Sequence, residues 1–231
     1  MTTATPFARA RSEDQRAQRR TAILTAAEAM LAGGTRVGEL SLNELARHVG
    51  LAKSNVLRYF ETREAVLLVL LDREYGRWLD AVEAELGGDA GRPAGTGAVE
   101  RVADVLSRTV ADRPVLSELL ANAQLVLEHN VSADVAADYK RRAVAQAVRL
   151  VGLVEAEVGA LPRASAITLA GGVNLAVGGA WGQCRPSPGM AAAYVQHPEL
   201  AALQLDYRVV VRELVATILT GLLARPADDR P

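Results

Sequence analysis

Apolar residues recur at three- and four-residue intervals over most of this chain, the spacing of amphipathic α-helices, and nothing reads as a strand. Ile23, Leu24, Ala27, Met30 and Leu31 form one stripe. It predicts a first helix from a capping box at Ser12–Gln15 to about Leu31, where Gly33 and Gly34 end it. Ser41–Glu44 is a second capping box and opens a short helix with Leu45, Ala46 and Val49 inward. Gly50 supplies a turn that a Cβ would strain. On the short third helix, spacing turns Ala52, Val56, Tyr59 and Phe60 inward and leaves Lys53, Ser54, Asn55, Leu57 and Arg58 outward.

Thr62 caps a fourth helix that runs to about Leu86. Its start, Ala65–Leu71, is seven apolar residues in a row, so this helix is expected to be buried on all sides between two domains. Gly87–Gly97 is a loop and the clearest break in the chain. Further helices are expected over about 98–111, 114–130, 132–160, 163–183 and 199–223. The pattern is all-α, with about nine helices. It divides into an arm (1–11), an N-terminal domain (12–62), a larger helical domain (63–225) and a tail (226–231).

Half the residues are hydrophobic, enough for a core without covalent staples. One cysteine, Cys184, excludes an intramolecular disulfide and a cysteine-based metal cluster, and three scattered histidines suggest no metal site. No secretory signal is visible, so a cytoplasmic location is expected. Residues 1–63 hold 10 Lys/Arg against 6 Asp/Glu, and the remainder 16 against 21. A basic head on an acidic body suits a module that faces phosphates.

A capped helix, a glycine turn and a second helix with a polar outer row make a helix-turn-helix, which lays its second helix in the DNA major groove. Arginine reads guanine edges, asparagine reads adenine, and lysine suits phosphate or guanine. Leu40–Phe60 therefore carries the expectation of DNA binding, and Arg9 and Arg11 are placed to reach a minor groove.

The segment Ser41–Leu71 resembles the DNA-binding domain of the tetracycline repressor (TetR) family. The matching residues are Leu45-Ala46, Gly50, Lys53, Tyr59-Phe60 and Thr62-Arg63-Glu64. The resemblance implies an all-α homodimeric regulator, a repressor released from a near-palindromic operator by a small hydrophobic ligand. The DNA-facing set is Ser41, Asn43, Lys53, Ser54, Asn55, Leu57, Arg58, Tyr59 and Arg63. Two departures stand out. Ala52 replaces the family's usual serine and Leu57 its usual tyrosine, both phosphate contacts in the family. Arg63 stands at its usual lysine, another phosphate contact.

Residues 164–184 carry no charge and are long enough to cross a bilayer, but their apolar content is too thin to drive insertion. A helix buried against others is expected instead. The resemblance implies dimer pairing through the eighth and ninth predicted helices, with Gly172, Leu175, Gly179, Leu203, Tyr207, Val210 and Leu214 in the interface. Tyr75, Trp78, Asn122, Asn174, Val177 and Trp181 are the expected ligand contacts, an apolar pocket with few polar anchors. No catalytic set, cofactor motif or phosphate-cradling glycine loop is present. Rival readings are the same fold without an effector, an activator, a helical enzyme with an incidental helix-turn-helix, and attachment to a membrane.

Overall fold

Caps written into the sequence set many of the helix starts. The structure, a computed structural model, describes residues 6–87 and 97–225, with side chains from Asp14 onward except that of Gln124. Among these residues there is no strand. The helices are α1 (Pro6–Ala32), α2 (Leu42–His48), α3 (Lys53–Val56), α4 (Arg63–Gly87), α5 (Ala98–Ala111), α6 (Pro114–Asn122), α7 (Ala133–Val158), α8 (Arg163–Cys184), α9 (Pro188–Gln196) and α10 (Tyr207–Ala224). A π-helical turn, Ala123–Leu127, prolongs α6, and a 3₁₀ segment, Pro198–Leu203, follows α9.

The head is α1–α3. Ser41 and Glu44 form the reciprocal capping box: the Ser41 hydroxyl accepts the Glu44 N–H at 3.2 Å, and the Glu44 carboxylate accepts the Ser41 N–H at 3.1 Å. Gly50 takes φ +66°, the left-handed turn between α2 and α3. Ile23, Ala27, Leu45, Val56 and Phe60 then close a small core beneath α3. α4 starts on the Thr62 hydroxyl, which accepts the Ala65 N–H at 3.1 Å. Its apolar run is buried apart from the half-buried Val69, and it packs against α1 on one side and α5, α6 and α7 on the other. Head and body therefore share one continuous core.

In the body, α10 lies against α5 and α8, while α6 crosses α8. Gly178 permits that crossing, because a Cβ there would stand 3.1 Å from the Leu120 backbone. Trp78, fully buried, donates its Nε1–H to the Thr109 hydroxyl at 2.9 Å, and Thr109 donates onward to the Val105 carbonyl.

Several expectations are corrected. α1 begins at Pro6, not at Ser12, so residues 6–11 are helical; proline's fixed φ suits the first helical position, and alanine and arginine sustain the turns after it. Residues 1–5, part of the expected arm, lie outside the described residues, as do 88–96 of the expected loop and the tail 226–231. The single final helix expected over 199–223 is two elements, the 3₁₀ segment and α10, and α9 stands before them where no helix was expected. Ser187 caps α9, and Asp206 caps α10 by accepting the Val209 N–H at 2.9 Å. Each is a helix start that the apolar spacing passes over.

Candidate nucleic-acid interface and effector region

α3 is four residues long, and its geometry rests on Val56 and Phe60, both buried. Lys53, Ser54, Asn55, Leu57 and Arg58 point outward and are exposed, Leu57 at 42%. Ala52 is exposed rather than inward: it is the extended residue before the helix, so helical spacing does not govern it. Asn43 is exposed on the first turn of α2. The Ser41 hydroxyl is engaged in its capping box and donates to Glu44 at 2.7 Å. That bond, then the Ser41 backbone N–H, holds the Glu44 carboxyl below the usual carboxylate range.

Two arginines take roles that spacing did not show. Arg63, expected on phosphate, donates its Nε–H to Glu64 at 2.8 Å and its Nη1–H to the Leu40 carbonyl at 3.0 Å. It ties the start of α4 to the residue before the Ser41 cap of α2. Arg20 donates to the Tyr59 carbonyl at 2.7 Å, and its guanidinium lies 4.3 Å from the centre of the Phe60 ring. Arg20 falls on the apolar stripe of α1, four residues before Leu24. A charge in that register was the available signal for a half-buried tether.

The head is fastened to the body at named points. The Val37 N–H donates to Glu118 of α6 at 3.0 Å, and the Ser132 N–H, before α7, donates to Glu61 at 2.6 Å. Arg73 and Arg77 of α4 both reach Glu28 of α1, at 2.5 and 2.8 Å. The attitude of α3 is thus set by α4, α6 and α7 together.

The six expected effector residues fall into separate places. Tyr75 donates its hydroxyl to the Asn174 side chain at 2.9 Å, and this pair lines a small cavity of about 40 Å³ with Leu71, Leu120, Tyr139 and Gln146. Burial pushes the Tyr75 hydroxyl pKa well up. Trp78 stacks edge-on behind Tyr75, 5.2 Å between ring centres, and does not line that cavity. Asn122 and Trp181 instead face a cleft of about 390 Å³ between head and body, where Trp181 donates to Glu118 at 2.9 Å and the Arg185 guanidinium lies 4.7 Å from the Trp181 ring centre. Val177 is buried in the core, and its carbonyl accepts the Tyr207 hydroxyl at 3.4 Å. Asn174 also touches an apolar-walled groove of about 750 Å³ between α7 and α8, lined by Val144, Val148, Val151 and Ile167.

Of the expected dimer residues, Leu175, Gly179 and Leu214 are exposed on α8 and α10, Leu175 at 65%, and Val210 is half-buried beside them. Gly172 instead meets Ile218 of α10 within the chain. Tyr207 turns inward, sharing a 2.8 Å hydrogen bond with the Ser117 hydroxyl and packing edge-on against Trp181; burial pushes its pKa up to about 12. Leu203 lies in the 3₁₀ segment, off the helix whose stripe it was expected to extend.

Among the described residues, no cluster of three His, Cys, Asp or Glu is placed to hold a metal. α8 is long and apolar enough to cross a membrane by length and composition, yet half of its apolar window is buried in the body.

Residues 72–226 match the family model described as the C-terminal domain of tetracyclin repressor-like proteins. No curated protein matches the sequence. Among solved structures, the fatty acid degradation regulator FadR from Bacillus halodurans aligns over 97% of this chain and 100% of its own, with TM-score 0.54 and 17% identity. A candidate tetR-family transcription regulator from Shewanella sp. PV-4 aligns over 86% and 96%, with TM-score 0.48 and 17% identity. A candidate transcriptional regulator from Streptomyces coelicolor A3(2) aligns over 90% and 98%, with TM-score 0.47 and 21% identity.

Proposed function

This chain belongs to the tetracycline repressor family, and on that premise we propose that it is a homodimeric transcriptional repressor that leaves a near-palindromic operator when a small apolar ligand binds. Its fold is that of a DNA-binding regulator. The observation that carries the reading is the outward row Lys53, Ser54 and Asn55 on α3 and Arg58 just after it, anchored from below by Val56 and Phe60. Such a row offers donors suited to guanine, adenine and phosphate, held by a rigid core. Leu57 adds an apolar contact suited to a thymine methyl. DNA contacts by Asn43, and by Ser41 once its hydroxyl turns its hydrogen from Glu44 to a phosphate oxygen, belong to this proposal.

Dimerisation is supported by the apolar face that α8 and α10 turn outward, where Leu175, Val210 and Leu214 lie beside small residues. Pairing two such faces sets the separation of two α3 helices, which must meet half-sites about 34–36 Å apart. A ligand that shifts α4, which joins the head to the body core, changes that separation. Useful control needs about 1–3 kcal/mol of coupling between ligand and DNA.

The space beside Tyr75 and Asn174 is far below the several hundred Å³ of a usual ligand pocket, while the groove meeting it at Asn174 is of that order. The reading therefore places the apolar ligand at the groove, with Asn174 as its polar anchor. The tightly filled interior also favours a second reading, a regulator of the same fold without a small-molecule effector. Selection of bound duplexes from a randomised pool by the purified protein tests the first half. An enriched palindromic site lost on Arg58→Ala is the expected result; binding without sequence preference overturns it. Operator release by apolar compounds in the same assay separates the two readings.

A further inference from the structure

The recognition segment is short of phosphate anchors. Ala52 and Leu57 carry no donor on their side chains, and Arg63 directs its Nε–H to Glu64 and its Nη1–H to the Leu40 carbonyl. Backbone contacts supply most of the salt-dependent affinity for a duplex, so anchors beyond Lys53 are expected.

A polar cleft of about 800 Å³ opens between the N-terminal half of α1 and the end of the recognition segment. Gln15, Arg16, Gln18 and Arg19 line it from α1, and Arg58 and Tyr59 line it from beyond α3. Arg16, Arg19 and Arg58 are all exposed, and no carboxylate lines the cleft among the described residues. The cleft shares Arg58 and Tyr59 with the outward row, so it continues the proposed DNA face.

We propose that this cleft seats a backbone phosphate of duplex DNA beside the major-groove site, with Arg16 and Arg19 of α1 as its anchors. The inference rests on the DNA-binding reading and adds to it residues that neither the helix-turn-helix pattern nor the family resemblance nominates. Guanidinium groups suit phosphate oxygens through paired, charge-assisted N–H donors. Arg20 connects the anchors to the reader: it lies on the same helix and holds the Tyr59 carbonyl. Burial, then the charges of Arg16 and Arg142, lower the Arg20 pKa, so positive charge is crowded here and an anion relieves it.

The test is binding of the full chain to a mixed-sequence duplex of about 30 base pairs, followed by fluorescence anisotropy across a salt series. Each lost phosphate contact lowers the slope of log affinity against log salt by about 0.9. The double variant Arg16→Ala/Arg19→Ala, which empties that one phosphate seat, is expected to lose about 0.9 from that slope. Arg16→Lys/Arg19→Lys is expected to keep it, and Arg185→Ala, on the far cleft, to leave it unchanged. An Arg16→Ala/Arg19→Ala slope equal to that of the native chain, or a loss no larger than that of Arg185→Ala, overturns the phosphate seat while leaving DNA binding by α3 standing. A native chain that binds no duplex at any salt overturns the DNA-binding reading and this inference with it. Both arginines are exposed, so an unchanged melting temperature is expected to accompany the lost slope.

Discussion

Glu118 of α6 accepts the backbone N–H of Val37 at 3.0 Å, across the boundary between body and head. Its other carboxylate oxygen accepts the Trp181 indole N–H at 2.9 Å, so one side chain joins α6, α8 and the segment leading into α2. Glu118→Ala leaves two donors without that acceptor. A loss of about 1–3 kcal/mol in unfolding free energy is expected, with weaker DNA binding because the head is less firmly oriented. Denaturant unfolding and duplex affinity measure the two effects. Glu118→Gln, which retains one carbonyl acceptor, should fall between; equal stability for all three would show that the link contributes nothing.

The outward row makes separable predictions. Asn55→Ala should relax base preference at one operator position by about 1–3 kcal/mol, whereas Lys53→Ala should weaken all sequences alike if its partner is phosphate. Comparing selected sites of the two variants decides this.

Gly178 is where α8 meets the backbone of α6, and a Cβ has 3.1 Å to the Leu120 carbonyl and no flexible neighbour to displace. Gly178→Ala should cost about 1–3 kcal/mol of stability through forced separation of the helices. A thermal midpoint like that of the native chain would mean that α6 moves aside freely.

Leu175→Glu puts a charge in the centre of the proposed α8–α10 dimer face. Burying an unpaired carboxylate costs about 3–5 kcal/mol, so dimer dissociation should strengthen by two orders of magnitude or more. Analytical ultracentrifugation should show a folded monomer. Dimers of native affinity would exclude this face.

Glu44 has a lowered native pKa, so its contribution is present above the unfolded carboxylate value of about 4.3 and is lost as pH falls through the lower native value. Glu44→Gln keeps an acceptor for the capping box but does not titrate there. The native chain should be the more stable near pH 7, and the difference should shrink as pH falls below the unfolded carboxylate value. A gap in melting temperature that stays constant across this range would locate the effect elsewhere.

Short-range rules reached far in this chain. The capping box at Ser41 and Glu44, the Thr62 cap, the left-handed turn at Gly50 and the run of α4, buried except for the half-buried Val69, all depend on groups a few residues apart. Helix α5 matches its expected limits, 98 to 111, for the same reason. Spacing misled where it was extended past a cap. Ala52 precedes its helix, and Leu203 was joined to a stripe that begins only after Asp206.

By itself, the sequence determined the all-α class, the helix-turn-helix and the outward set of its reader, because propensity, capping and periodicity are local. Only the tertiary structure decided which polar groups found partners. Arg63 was drawn onto Glu64 and the Leu40 carbonyl, and Tyr75 onto Asn174, 99 residues away. Tyr207 was turned inward onto Ser117, and Arg16 and Arg19 were brought beside Arg58 in one cleft. A side chain's partner across tens of residues depends on how whole helices cross, and no spacing within one helix encodes that crossing.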